Sequence, residues 1–118
     1  LLRQVLDIII ENAVIYASSE APEISVKVSN SSSSTRVQIS DNGPGIAPED
    51  LPHIFDRFYR GKNASQSNSQ GHGLGLALAH DIVRRHDGQL SATSKLGSGA
   101  IFVIELPRYK NAQTKESV

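Results

Sequence analysis

Ser40-Asp41-Asn42-Gly43-Pro44-Gly45-Ile46 is the stretch on which the reading of this chain turns. A carboxylate closes a run of alternating apolar and polar residues, and an asparagine and then Gly-Pro-Gly follow it. Gly reaches positive φ without steric cost, and Asp bonds to nearby backbone, so the stretch reads first as a strand running into a tight turn. A chemical reading stands beside that one. Asp41 could accept a hydrogen bond from an exocyclic amine, Gly43 and Gly45 would let a ligand approach the backbone, and Ile46 would supply an apolar wall. Turn chemistry and ligand chemistry are both open on these residues alone.

The surroundings place the turn in a fold. Upstream, Thr35-Arg36-Val37-Gln38-Ile39-Ser40 and residues 23–29 both alternate as half-buried strands, and Asn30-Ser31-Ser32-Ser33-Ser34 joins them as a hairpin turn. Leu2, Val5, Leu6, Ile9, Ala13 and Tyr16 recur at helical spacing, so residues 1 to 17 form an amphipathic helix. Downstream, Pro48-Glu49-Asp50-Leu51 reads as a helix start. Residues 61–71 lack any apolar period and form a candidate lid. Residues 74–86 return to helix, with Leu74, Leu78, Ile82 and Val83 on one face and Gly88 as its stop. Strands at 89–94 and 100–106 follow, joined by Leu96-Gly97-Ser98-Gly99. The order α-β-β-α-α-β-β predicts an α/β sandwich of the α+β kind, with helices on one face of a mixed, mostly antiparallel sheet. It occupies residues 1–107, and a polar tail follows over 108–118.

Composition narrows the function classes. A chain of 118 residues with 38% apolar content is expected to make one domain with a modest core. Twelve basic residues balance twelve acidic ones, which argues against a nucleic-acid partner. With no cysteine, disulfides and thiolate metal sites are excluded. No apolar run approaches the roughly 20 residues needed to span a bilayer, and no signal peptide is visible, so a soluble, cytoplasmic domain is expected. The chain opens inside an apolar-periodic segment without Met or a cap, as a piece lacking the N-terminal part of its domain would.

A second glycine-rich stretch, Gly71-His72-Gly73-Leu74-Gly75-Leu76, runs straight into an apolar helix and could present backbone N–H groups to phosphates. Its spacing fits neither the dinucleotide fingerprint nor a Walker loop, since Leu76 stands at the third glycine position and Asn63 follows Gly61-Lys62. Alone it also reads as simple capping. On the first helix Asn12 and Tyr16 lie one turn apart on the same face. An amide oxygen is a suitable hard ligand for Mg²⁺, although a helical Asn is commonly a surface residue and a Tyr commonly core. Taken with Asp41, these features suggest an ATP site.

The series Glu11-Asn12-Ala13, Asp41-Asn42-Gly43-Pro44-Gly45-Ile46, Phe55-Asp56-Arg57-Phe58-Tyr59-Arg60, Gly71-His72-Gly73-Leu74-Gly75-Leu76 and Gly97-Ser98-Gly99 resembles the ATP-binding domain of sensor histidine kinases. These are that family's N, G1, F, G2 and G3 boxes in the family's order, over residues 2 to 107. The wider superfamily holds gyrase, the Hsp90 chaperones and MutL; the aromatic F box favours the kinase branch. The resemblance implies the Bergerat ATP-binding fold. It gives Asp41 the adenine amine, with Gly43, Gly45 and Ile46 shaping that wall. Asn12 ligates Mg²⁺ and, with Glu11, forms the catalytic pair, while Tyr16 stacks on the base. Gly71, His72, Gly73, Leu74, Gly75 and Leu76 form the hinge and helix start that cradle phosphates. Arg57, Arg60 or Lys62 offsets phosphate charge from the lid, and Phe55 and Phe58 anchor that lid.

The implied cofactors are ATP and Mg²⁺. The implied activity is that of a protein-histidine kinase in a two-component system, donating the γ-phosphoryl to a histidine on a separate dimerisation domain. A response-regulator receiver domain would take the group next. None of His53, His72, His80 or His86 has the acceptor's sequence context, so this chain is not expected to phosphorylate itself. It is expected to be a monomer without membrane contact, from a dimeric parent that an inner-membrane anchor could hold. Three positions depart from the family pattern: Ile8 for an Asn, Ile15 for a basic residue and Ala100 for a Thr. They keep an alternative open, a degenerate nucleotide-binding or interaction module with little kinase activity. A serine-directed kinase or ATPase of the same superfamily is a further one.

Overall fold

In the computed structural model the described residues are 2–17, 20–57, 75–95 and 97–108. Helix α1 (Leu2–Tyr16) leads, followed by strands β1 (Ile24–Asn30) and β2 (Ser34–Asp41). A 3-10 turn (Leu51–His53) comes next, then helix α2 (Gly75–Arg85) and strands β3 (Gln89–Lys95) and β4 (Gly99–Pro107). The strands form one sheet in the order β1-β2-β4-β3, and every pairing among the described residues is antiparallel.

Both helices cover one face of that sheet. Val5, Ile9 and Ala13, spaced by four, sink the α1 stripe against Ile39 of β2 and against Ala79, Ile82 and Val83 of α2. Across the sheet Ile39 pairs with Phe102, and Leu90 pairs with Ile104, so the inward rows of β2, β3 and β4 meet in the same cluster. Phe55, just beyond the 3-10 turn, stacks on His80 with ring centroids 5.1 Å apart and meets Phe102 edge-on at 6.3 Å. That ties the segment after the turn to α2 and β4.

Several local expectations change in three dimensions. The helix expected from Pro48 is a three-residue 3-10 turn, with a proline at its start and the Asp50 N–H donating to the Ala47 carbonyl at 2.9 Å. Pro52 lacks the N–H that an α-helix starting at Pro48 would need for its bond to the Pro48 carbonyl. In α2 the buried face is Ala77, Ala79, Ile82 and Val83; Leu78 is 43% exposed and stands outside the stripe. Gly88 does not supply the left-handed residue that ends α2. Asp87 does, at φ 62°, and the Gly88 N–H then closes on the Val83 carbonyl at 2.9 Å. Gly88 is needed instead because a Cβ there would strike the Glu105 carbonyl and the Leu106 side chain.

Strand β1 is also more exposed than its alternation suggests. Val26 and Val28 face the same side as Ile39 and Val37, their register partners, yet they are 50% and 63% exposed. The helices pack on β2 and β3, and Val26 and Val28 of the edge strand β1 lie beyond their cover, while Ile24 still packs against the core. No helix among the described residues is long and apolar enough to cross a membrane.

Candidate functional site

The site grows from the end of β2. Asp41 is the last residue of that strand, and its Oδ1 accepts the Gly43 N–H at 2.8 Å, an Asx turn made by the sequence Asp-x-Gly. One carboxylate oxygen is thereby fixed. Among the described residues no donor engages the other, and the half-buried side chain keeps an acceptor for a ligand.

The turn that follows is wedged between two other elements. A Cβ on Gly43 would overlap the Tyr16 carbonyl at the end of α1. Gly45 stands at φ +85°, where its missing Cβ would lie 2.7 Å from the Lys95 carbonyl and 2.9 Å from Ser94 Oγ. Gly99, the first residue of β4, has φ +100°, and its missing Cβ would overlap the Asp41 carbonyl. Glycine is required here by close packing of backbone on backbone as much as by dihedral freedom. Hydrogen bonds complete the fit: Gly97 N–H to the Pro44 carbonyl at 2.9 Å, and Ile46 N–H to Ser94 Oγ at 2.6 Å.

On the α1 side, Asn42 Nδ2 donates to the Ala21 carbonyl at 2.7 Å, and its Oδ1 accepts the Glu23 N–H at 3.1 Å. The amide thus holds the α1–β1 connection against the turn. Asn12 and Tyr16 are both half-buried on α1, and no described residue hydrogen-bonds to the Asn12 amide. Its oxygen therefore suits a hard cation, but no cluster of three His, Cys, Asp or Glu stands among the described residues. A Mg²⁺ ion bound there would need phosphate oxygens and water for most of its shell. Ile8, one turn earlier, lies 3.5 Å from where a Cβ on Gly75 would stand, so an apolar side chain faces the start of α2.

The expected site residues do not all come together. Asp41, Gly43, Gly45, Ile46 and Tyr16 meet at one end of the sheet. Ile46 and Leu76 pack partly on the hydrophobic core, Gly75 opens α2, and Arg57 and Glu11 are exposed. Arg60, Lys62, Gly71, His72, Gly73, Leu74, Phe58 and the lid expected over 61–71 lie outside the described residues. Two contributors were missed. Asn42 reads as an ordinary turn residue, so nothing in the sequence marks its reach to the α1–β1 connection. Ser94 leaves a trace: it follows Leu90 and Ala92 on the inward row of β3, where a polar residue needs a partner.

Residues 1–110 match the family described as Histidine kinase-, DNA gyrase B-, and HSP90-like ATPase. The chain belongs to this family. The sensor protein ChvG of Agrobacterium fabrum is 41% identical over 109 residues, covering 88% of this chain and 18% of ChvG. The mycobacterial sensor histidine kinase MprB shares the fold at a TM-score of 0.78 and 27% identity, over 88% of this chain and 70% of that one. Full-length ShkA, solved in complex with AMPPNP, gives a TM-score of 0.75 at 32% identity, over 90% of this chain and 21% of ShkA. The resemblance read from the five boxes to sensor histidine kinases, and to the α/β fold of their ATPase domains, therefore holds. The chain spans under a fifth of ChvG's length.

Proposed function

We propose that this chain is the ATP-binding catalytic domain of a two-component sensor histidine kinase, taking Mg·ATP at the Asp41 end of the sheet. The observation that carries this reading is the Asp41 carboxylate, with one oxygen held by the Gly43 N–H and the other open at a turn locked in place. A carboxylate oriented in this way accepts from the adenine amine without reorganising its neighbours. Beside it, Gly43, Gly45 and Ile46 form the wall of the base site, and Tyr16 stacks from α1.

Asn12 would hold Mg²⁺ through its amide oxygen, with Glu11 next to it as the second member of the catalytic pair. The backbone N–H groups opening α2 at Gly75 and Leu76 suit phosphate oxygens, because a helix start concentrates unpaired donors and partial positive charge. Gly71, His72, Gly73 and Leu74 lead into that start. Arg57, Arg60 or Lys62 offsets phosphate charge, and closure over 60–71 excludes water. Mg·ATP supplies the phosphoryl group and the divalent charge that neutralises the phosphates. In the parent protein the γ-phosphoryl passes to a histidine on a separate dimerisation domain and then to the receiver domain of a response regulator. The chain itself positions and neutralises; it supplies no covalent intermediate.

Titration calorimetry with a non-hydrolysable ATP analogue, with and without Mg²⁺, tests this reading. Saturable binding that Mg²⁺ strengthens, and that Asp41→Ala weakens about 100-fold, is the expected result, in line with the loss of a charge-assisted hydrogen bond. A folded chain that takes up no analogue would sink the proposal. One observation favours a second reading, a nucleotide-binding or interaction module with little kinase activity. Ile8 puts an apolar side chain at the start of α2, where a polar group would serve phosphate. Phosphoryl transfer at background level in the parent protein, with nucleotide binding intact, would select it.

A further inference from the structure

We infer that Ser94 is a positioning residue for the nucleotide site: its hydroxyl sets the Gly45–Ile46 wall in place opposite Asp41. This role rests on the nucleotide reading given above. Ser94 is half-buried near the end of β3, on the row that also carries Leu90 and Ala92, and its register partner is Ala100, which is buried. A side chain on that row normally packs as an apolar group. Here the hydroxyl makes two hydrogen bonds that its chemistry just allows. Oγ accepts the Ile46 N–H at 2.6 Å and gives its single proton to the Gly99 carbonyl at 3.3 Å.

Those two partners belong to different segments, the turn after β2 and the start of β4. Ile46 belongs to the base wall, while Gly99 is the residue whose backbone packs against the Asp41 carbonyl. Ser94 therefore joins the wall to the strand that backs Asp41. Close packing leaves Gly45 no room for a side chain beside this hydroxyl, since a Cβ on Gly45 would lie 2.9 Å from Ser94 Oγ. The Asp41 carboxylate is oriented independently, by the Gly43 N–H. Loss of the hydroxyl frees the wall and leaves the carboxylate where it is. A second tie between the two turns, Gly97 N–H to the Pro44 carbonyl, does not involve Ser94 and remains.

The test compares this chain with Ser94→Ala and Ser94→Thr, well below their unfolding temperatures. It reads affinity for a non-hydrolysable ATP analogue, for ADP and for AMP, and amide hydrogen exchange at Ile46 and Gly43. Ser94→Ala is expected to weaken all three nucleotides by a similar factor of about ten, the effect of one hydrogen bond, because the wall acts on the base and not on the phosphates. Exchange at Ile46 should quicken about tenfold or more while Gly43 holds its rate. Ser94→Thr, which keeps the hydroxyl, should return affinity to within about threefold. Folded Ser94→Ala that binds all three nucleotides like the parent chain would overturn the role and leave Ser94 a purely structural residue. Unchanged exchange at Ile46 would overturn the hydrogen bond itself. If the unsubstituted chain binds none of the nucleotides, the nucleotide reading falls and this role falls with it; exchange at Ile46 still reports whether the hydroxyl holds the turn.

Discussion

The two ends of the sheet are built on different principles. At the Asp41 end, three chain segments pack backbone against backbone: Gly43 on the Tyr16 carbonyl, Gly45 on the Lys95 carbonyl and Gly99 on the Asp41 carbonyl. At the far end the β1–β2 hairpin closes on its own side chains. Ser31 Oγ accepts the Ser33 and Ser34 N–H groups at 3.3 and 3.1 Å, and Thr35 bonds to Asn30 at 2.7 Å, all exposed. Arg108 reaches back to the Ser33 and Ser31 carbonyls from the start of the expected tail. At Gly43, Gly45 and Gly99 the first end leaves no volume for a side chain. The other stands in water, which can replace any bond that is lost. The rigid end is the one that carries the open carboxylate.

Four substitutions probe that contrast by chemical or thermal unfolding. Gly99→Ala should have the largest effect, a loss of about 3 kcal/mol or more, because its Cβ would overlap the Asp41 carbonyl at a φ that L-residues avoid. A smaller loss would mean that β4 can draw back from the site. Asn42→Ala should lose about 1–2 kcal/mol, since two backbone groups of the α1–β1 connection lose their partner at the surface. Gly97→Ala sharpens the comparison within a single turn. Gly97 has φ +84° with open space around it, so only the backbone cost of about 1 kcal/mol remains. Equal losses at 97 and 99 would refute the packing argument. At the far end Ser32→Ala should stay within about 0.5 kcal/mol, as exposed positions without a special role do.

Much of this was legible in the chain. The α1 stripe and the four strands follow from apolar spacing, and the strand bounds differ by a residue or so from those expected. Asp41, Gly43 and Gly45 could be singled out because Asp-x-Gly-x-Gly has few uses outside turns and ligand sites. Departures occur where packing overrides a local signal. Leu78 fits the apolar stripe of α2 by type, but the alanines of that helix, small enough for close approach, take the inward positions. Val26 and Val28 keep the inward phase of β1 yet stay exposed, because cover depends on where the helices lie. Phe55 finds His80 across 25 residues, a pairing no window of sequence contains.

The sequence by itself determined α1, α2 and the four strands, the two glycine motifs, the family and the carboxylate on which the proposed chemistry depends. Periodicity, turn propensity and short-range hydrogen bonding act within a few residues, so each can be read along the chain. Tertiary structure alone decided which backbone each glycine must admit, which backbone groups Asn42 reaches and which turn Ser94 holds. Those contacts join segments 17 to 58 residues apart, and a strand position records only that its side chain points inward, not what it meets. Ser94 is inward on β3 by its spacing. That its hydroxyl meets the Ile46 N–H follows only from the folding of two turns onto each other.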